Sequence, residues 1–397
     1  MLRVFKYIGY LLFLPFWWLQ LLIPRNKNIW VFGAWYGHRF SDNSKYLYLY
    51  IKENHPEIKA IWLTRDVNIK NLIIREGGVS YLTSSLLAIC YSLIAKNVIV
   101  SSGKRDINFL FINGSNWIHL WHGNPMKKIG LDDKYSNIHS FFQRKLIPVF
   151  FPFVCEYNYD YIVSNSEVFS EKMASAFNVA PHQIIESGCP RNDVFYNKEI
   201  DKFNADLKIR FKKCKIIYYL PTFRNHNKAK SLFNLEDFDE NILEPFLEKE
   251  NIVFVSKGHF VDNNLHSKIE KEHKGRIIHL SDEDVSDINF MLKDADMLVT
   301  DYSGAYFDFL LTEKPIIFAA FDLEEYKNSS REMYFDYESI VSGPIVYNWV
   351  ELTNSIAEII RENKYKEQIK SKNLVFNKYH DANNSKRVFM SLLNIHK

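Results

Sequence analysis

His122 ends an apolar run and is followed by Gly123-Asn124-Pro125, where a glycine and a proline fix a tight loop. An imidazole held there can act as a general base near neutral pH. The plain alternative is a hydrogen-bonded loop histidine, with Lys127 and Lys128 solvated. His259 closes Ser256-Lys257-Gly258-His259, where it could donate to a phosphate or a leaving oxygen. Arg224 closes Leu220-Pro221-Thr222-Phe223-Arg224, and a guanidinium at that point could pair with phosphate oxygens. Gly188-Cys189-Pro190-Arg191-Asn192-Asp193 is a rigid turn that could present Arg191 to a phosphate, or merely a turn with a surface ion pair. The segment from Thr300-Asp301-Tyr302-Ser303-Gly304 to Asp308 reads as strand end, sharp turn and helix. Ser303 can cap that helix, and Gly304 leaves room for a ligand to approach its first turn. A helix N-terminus at the carboxyl end of a strand suits a phosphate, so the reading here is a grip on a phosphorylated or nucleotide substrate. An ordinary strand-to-helix turn with a serine cap is the other reading. Ser164-Asn165-Ser166 reads more simply as a helix cap than as a ligand contact.

These clusters share a position, always at the carboxyl end of a predicted strand. The candidate strands are Ile29–Phe32, Ala60–Leu63, Asn97–Val100, Trp117–Leu120 and Tyr161–Val163, then Lys215–Leu220, Ile252–Val255, Arg276–Leu280, Met297–Val299 and Pro315–Phe318. Amphipathic helical stretches separate them, which points to α/β layers with parallel sheets. Trp35 to Lys45, containing Ser41-Asp42-Asn43-Ser44, is a loop leading into a helix. The chain turns polar and lysine-rich around Phe195 to Lys213, the expected approach to a domain junction. The organisation expected is an anchoring segment at 1–27, a Rossmann-like domain that also meets the membrane at 28–200, and a second Rossmann-like domain with a helical tail at 201–397. Ligands of open α/β sheets bind outside the carboxyl ends of the strands, so two such doubly wound halves are expected to face one cleft.

With 397 residues there is room for roughly two or three domains. A net charge of +3 gives no global field that would draw nucleic acid. Four scattered cysteines with no Cys-x-x-Cys pair fit a reducing cytosol rather than a disulfide framework or zinc site. No P-loop, dinucleotide fingerprint or Gly-x-Ser-x-Gly elbow is present. The acidic residues form no obvious metal cage and no cofactor is evident, although a divalent cation such as Mg²⁺ could enter through substrate phosphates.

Tyr7 to Ile23 is almost wholly apolar and is flanked by Arg3, Lys6, Arg25 and Lys27. It falls slightly short of the ~20 residues of a spanning helix, and Pro15 is expected to interrupt it. Trp17 and Trp18 favour the headgroup region. The reading is a monotopic anchor meeting anionic lipid of the inner leaflet; a single span and a helix buried in the fold are the alternatives. Ile138 to Tyr159, rich in Phe141, Phe142, Phe150, Phe151 and Phe153 beside Arg144 and Lys145, reads as a second membrane-facing patch or a packed helix pair.

Taken together, Trp121-His122-Gly-Asn-Pro125-Met-Lys-Lys128, Ser164-Asn-Ser166, Gly188-Cys-Pro-Arg191-Asn-Asp193, Pro221-Thr-Phe-Arg224, Lys257-Gly-His259 and Thr300-Asp-Tyr-Ser303-Gly-Ala-Tyr-Phe-Asp308 resemble the CDP-glycerol glycerophosphotransferase family, whose members build wall teichoic acids and related capsule polymers. The resemblance runs from about Trp30 to about Tyr337, and Phe32-Gly-Ala-Trp-Tyr, Ser41-Asp-Asn and Trp62-Leu-Thr are similar to the shorter, primase-like members. It implies a GT-B-like fold, peripheral attachment at the cytoplasmic face of the cell membrane, a CDP-glycerol donor and a lipid-linked saccharide or polymer acceptor. It further implies His122 as the base on the acceptor hydroxyl and His259 on the donor's phosphates. Arg191, Pro221, Thr222, Arg224, Lys257, Thr300, Asp301, Ser303, Gly304 and Asp308 fall in the donor region, and Gly123, Asn124 and Pro125 in the acceptor loop. Asn124 stands where threonine is usual and Gly304 where a second serine is usual. CDP-ribitol as donor, or a nucleotide sugar on a GT-B glycosyltransferase, are the alternative readings.

Overall fold

A computed structural model of the chain describes residues 2–134, 153, 157–222, 232–257, 275–281, 285, 287–329, 332–362 and 364–395. Short runs of Val, Ile and aromatic residues, apolar on both faces, form two wholly parallel sheets, as expected of strands covered by helices on each side. The first contains β1 (Asn26–Gly33), β2 (Lys59–Thr64), β3 (Ser80–Leu82), β4 (Ala95–Val100), β5 (Asn116–His119), β6 (Tyr161–Ser164) and β7 (Ile184–Glu186), in the order β3-β2-β1-β4-β5-β6-β7. The second contains β8 (Lys215–Leu220), β9 (Ile252–Lys257), β10 (Ile277–Leu280), β11 (Met297–Thr300), β12 (Ile316–Ala319) and β13 (Ile345–Val346), in the order β10-β9-β8-β11-β12-β13. In each sheet the winding reverses direction once, between β1 and β4 and between β8 and β11.

Two compact units follow from the contacts. One holds Met1–His122, Ile129–Asp193 and Asp381–Lys397; the other holds Gly123–Lys128 and Val194–His380. The sequence reading ran the second domain to the C-terminus. The last helix, Asn384–Asn394, instead joins the first unit's core, where Val388, Phe389 and Leu392 are buried with Trp30, Tyr48 and Trp62. Asp193 holds its start, accepting from the amides of Asn384 (2.7 Å) and Ser385 (2.9 Å). The second core gathers Tyr219, Phe254, Leu247, Leu352 and Trp349, whose indole N–H donates to the Leu232 carbonyl at 2.7 Å.

The apolar N-terminus is a helix over Leu2–Leu19 that runs through Pro15 rather than stopping there. Its last turns are docked on the first unit. Trp17 is buried, Phe13 and Phe16 meet Phe111, and buried Gln20 donates to the Leu110 carbonyl and accepts from the Asn113 amide. Leu11, Leu12, Trp18, Leu19, Leu21 and Leu22 remain exposed. Of the aromatic segment at 138–159, the stretches 138–152 and 154–156 lie outside the described residues. Phe153 is not membrane-facing but buried against Tyr10 and Trp17. Among the described residues, no helix is long and apolar enough to cross a membrane.

Candidate functional site

In an open parallel sheet the loops diverge where the winding reverses, and the opening between them accepts ligands. In the first unit that point lies between β1 and β4. The chain leaves β1 through Ala34, Trp35 and Tyr36, leaves β4 through Ser101 and Ser102, and leaves the adjacent β5 through Leu120, Trp121 and His122. Backbone strain collects here. Trp35 (φ 46°), Tyr36 (φ 56°), Asp42 (φ 66°) and Trp121 (φ 58°) all lie in the left-handed region. For bulky side chains that conformation costs on the order of 1 kcal/mol or more each, and it persists only where the surroundings enforce it. Asp106 is part of that enforcement. It is fully buried, and its Oδ2 accepts from the amides of Ser101 (3.0 Å), Ser102 (2.7 Å) and Gly103 (3.3 Å), while Oδ1 accepts from Tyr36 at 2.7 Å. Burial pushes this carboxyl up to about 6, against the pull of those four N–H groups.

His122 is the chemically informative residue of this cluster. Its Nδ1 lies 3.0 Å from the Ser101 carbonyl oxygen. A carbonyl can only accept, so Nδ1 carries the hydrogen and Nε2 keeps its lone pair. Burial lowers its pKa below the ordinary 6.5, outweighing the opposite effects of Asp42 and the Ser101 carbonyl; Arg191 lowers it further. The ring is a neutral imidazole near neutral pH, packed against Trp121 (centroids 4.1 Å apart) and Trp35 (5.3 Å). His119, beneath it, is fully buried and takes the opposite tautomer, since its Nδ1 accepts from the Trp121 amide at 2.9 Å.

Arg191 makes the ion pair that the sequence left open as its alternative, but a buried one rather than one on the surface. Its Nη1 pairs with Asp42 Oδ1 at 2.9 Å and donates to the His122 carbonyl at 2.7 Å, with both charged side chains largely buried. A guanidinium so engaged braces the histidine loop rather than standing out as a phosphate clamp. Ser166 occupies the N-cap position of the helix Glu167–Phe177 without a side-chain cap bond, and its carbonyl accepts from the Ser164 hydroxyl at 3.0 Å.

In the second unit the reversal lies between β8 and β11, and Thr222, Thr300 and Asp301 meet there. Leu220 pairs with Thr300 in the ladder, and the Thr300 hydroxyl donates to the Leu220 carbonyl at 2.7 Å. Asp301 Oδ1 accepts from the amides of Thr222 (2.8 Å) and Tyr302 (2.6 Å). Thr300 and Asp301 are fully buried, so they lock the Pro221-Thr222 loop to the strand end. Ser303 Oγ accepts from the Ala305 amide at 3.3 Å, but the N-cap position of the helix falls on Gly304, so the expected serine cap is not formed. The helix that follows has only five residues, Ala305–Phe309, and Asp308 is buried within it. So short a helix sums few peptide dipoles, which weakens the phosphate argument drawn from the sequence.

Gly304 has a packing reason of its own. A Cβ there would lie 2.6 Å from the Asn124 carbonyl, so its missing side chain admits the chain's own backbone. Gly123–Lys128 belongs to this second unit, with Asn124 and Pro125 buried. The Tyr334 amide donates to the Met126 carbonyl (2.9 Å), the Lys128 amide donates to the Glu332 carbonyl (2.7 Å), and Lys128 pairs with the Glu332 carboxylate (2.8 Å). Lys257 ends β9. Arg224, Gly258 and His259 lie outside the described residues.

Sequence reasoning passed over the chemical roles of Trp35, Asp42, Ser101 and Asp106. Their signal was available in two runs of capping residues, Ser41-Asp-Asn-Ser44 and Ser101-Ser102-Gly103, each following a central strand.

Set beside known proteins, residues 16–394 match the model of the family described as CDP-glycerol:poly(glycerophosphate) glycerophosphotransferase. A teichoic acid glycerol-phosphate transferase of Staphylococcus aureus (strain NCTC 8325 / PS 47) is 28% identical over 389 residues, covering 92% of this chain and 93% of that protein. A teichoic acid glycerol-phosphate primase of Bacillus subtilis (strain 168) is 31% identical over 283 residues, 70% of this chain and 68% of that protein. Among solved structures, the wall teichoic acid polymerase TagF soaked with CDPG is similar in fold, with a TM-score of 0.72 at 21% identity over 92% of this chain and 87% of that chain.

Proposed function

The chain belongs to the CDP-glycerol:poly(glycerophosphate) glycerophosphotransferase family and is an enzyme, and we propose that it moves glycerol phosphate from CDP-glycerol onto a hydroxyl of a lipid-linked saccharide or growing polyol-phosphate polymer. The product would be a teichoic acid or capsule polymer. The observation that carries the chemistry is the His122 imidazole, neutral and fixed with Nδ1–H on the Ser101 carbonyl and its Nε2 lone pair available. Nε2 takes the proton of the acceptor hydroxyl. That oxygen attacks the phosphorus bearing glycerol, forming the new P–O bond. The bond to the CMP phosphate oxygen breaks, and CMP leaves with the electron pair. In such transfers, positioning and electrostatics supply most of the rate.

On the donor side the reading rests on motif and relatives: His259, Arg224 and Lys257 toward the diphosphate, and the Pro221-Thr222 and Ser303 turns as its backbone frame. A relative soaked with CDPG supports the donor class. A divalent cation such as Mg²⁺ would enter on the substrate's phosphates; among the described residues, no group of three or more His, Cys, Asp or Glu gathers to hold one. The place of action in this proposal is the cytoplasmic face of the bacterial cell membrane. The exposed Leu11, Leu12, Trp18, Leu19, Leu21 and Leu22 near Lys27 support it, as a surface that would lie in the interface of anionic lipid; Arg25 instead spends its guanidinium on the Gln20, Ser92, Leu93 and Asn113 carbonyls.

The test is CMP release from purified protein given a lipid-linked disaccharide and a panel of CDP-glycerol, CDP-ribitol and nucleotide sugars. Release with CDP-glycerol is expected. Release with CDP-ribitol alone would move the donor assignment, and no release with either CDP-alditol would overturn the proposal.

A further inference from the structure

Three consecutive side chains at the start of one helix each hold a different part of the His122 loop. The helix is Asp42–Asn54, which follows β1. Ser44 reaches the ring's own partner: its amide donates to the Ser101 hydroxyl at 3.0 Å, and the two hydroxyls are 2.7 Å apart. The carbonyl of that same Ser101 accepts from His122 Nδ1. Asn43 holds the backbone that leads into the histidine. Its Nδ2 donates to the carbonyls of Leu120 (3.1 Å) and Trp121 (2.9 Å), and its Oδ1 accepts from the Arg191 amide (3.0 Å). Every hydrogen-bonding group of that fully buried carboxamide is therefore used. Asp42 holds the far side. Its Oδ1 pairs with the Arg191 guanidinium that donates to the His122 carbonyl, and its Oδ2 accepts from the indole N–H of Trp35, whose ring lies against the imidazole.

Residues of these types at a helix start ordinarily cap the helix's own amides. Here Ser41, at the N-cap position, makes no side-chain cap bond, and Asn43 and Ser44 spend their side chains on other segments of the chain. Trp121, just before the histidine, is held in the left-handed region at φ 58°, a conformation that needs enforcement from outside. Asn43 supplies it by binding the carbonyls on both sides of that residue's amide.

We propose that Asp42, Asn43 and Ser44 are positioning residues that fix the tautomer and placement of the His122 imidazole for proton abstraction. The proposal rests on the reading of His122 as the base. Without the Ser44 hydroxyl, Ser101 keeps its bonds to Asp106 and to the Ser44 amide but loses one of its anchors, and Nδ1 a firmly placed acceptor. Without the Asn43 donors, the Trp121 backbone is free to relax and carry the ring away. A ring displaced by about 1 Å, or protonated on the wrong nitrogen, loses on the order of 10–100-fold in rate.

The experiment uses the full chain with histidine labelled with ¹⁵N, and reads both the imidazole nitrogens and the kinetics of CMP release from CDP-glycerol. His122 signals are assigned by their loss in His122→Gln. The variants are Ser44→Ala, its conservative counterpart Ser44→Thr, Asn43→Asp (same shape, donors replaced by acceptors) and Asp42→Asn, which keeps a residue tolerant of the left-handed backbone. In the wild type, His122 should be protonated at Nδ1 alone. In Ser44→Ala and Asn43→Asp it should become a mixture of tautomers, with kcat down about 10–100-fold and KM for CDP-glycerol within about twofold; Ser44→Thr should restore both. Should Asn43→Asp fail to fold, Ser44→Ala and Asp42→Asn decide alone. Folded variants whose His122 spectrum matches the wild type would overturn the proposal, whatever their activity. Full turnover by His122→Gln would instead remove the base assignment, while the spectra would still report whether the triplet sets the tautomer.

Discussion

Burial keeps the His122 and His119 imidazoles neutral, and this has a sign that stability measurements can read. Both are held below their ordinary 6.5 by loss of solvent. The unfolded chain takes up these protons near 6.5, while the folded chain resists until the pH is lower. Their contribution to stability is therefore complete above about 6.5 and is lost as the pH falls through the folded values. Urea unfolding from pH 7.5 downward should show the midpoint falling below about 6.5, with a shallower fall in His122→Gln; an unchanged slope in that variant would place the protonation elsewhere. Arg191 gives a second expectation. As half of a largely buried ion pair with Asp42, its replacement in Arg191→Ala should cost about 3–5 kcal/mol in unfolding free energy. A variant of wild-type stability but much higher KM for CDP-glycerol would return Arg191 to the donor. The sequence pointed to His122 and Asp301 because their types and strand-end positions are visible, and to Arg191 by its Gly-Cys-Pro turn. It did not show what they touch. The partner of His122 is a backbone carbonyl 21 residues away, and no residue type signals a carbonyl.

At the scale of elements, all ten predicted strands formed, nine of them inside their sheets and the four-residue β10 at an edge, and those missed are shorter edges. β3 and β7 have three residues each and β13 has two, and each flanks its sheet. Edges bury less, so they need no long apolar run and leave little pattern to read. The turn at Ser303-Gly304 was legible as a turn, but its glycine serves packing against Asn124. Gly304→Ala should therefore press on that carbonyl and cost about 1–3 kcal/mol. It should also disturb the 123–128 loop, seen as shifted amide resonances of Met126 and Lys128, whose carbonyl and amide pair with Tyr334 and Glu332. Undisturbed resonances with weakened donor binding would favour the ligand-approach reading instead.

For the whole molecule, the return of the C-terminal helix to the first unit was not visible in the sequence, because an amphipathic helix does not declare which core it covers. Phe389 packs against Trp30 (centroids 5.5 Å apart) and stacks on His55 (3.8 Å). Phe389→Ala should cost about 3–5 kcal/mol, measured by denaturant unfolding; a loss below ~1 kcal/mol would mean that this helix contributes little to the core. The apolar N-terminal stretch was visible at once, but its division into docked and exposed faces was not. Glu in place of exposed Leu12 and Leu22 should reduce flotation with vesicles of anionic lipid while leaving the buried Trp17 and Gln20 contacts intact. Unchanged flotation would locate membrane binding elsewhere. The central claim, transfer of glycerol phosphate with His122 as base, is tested most directly by the initial rate of CMP release from CDP-glycerol in the presence of a lipid-linked disaccharide, wild type beside His122→Gln. The wild type should turn over and the variant should be slower by about 10²–10⁴-fold; equal rates in two equally folded proteins would contradict it.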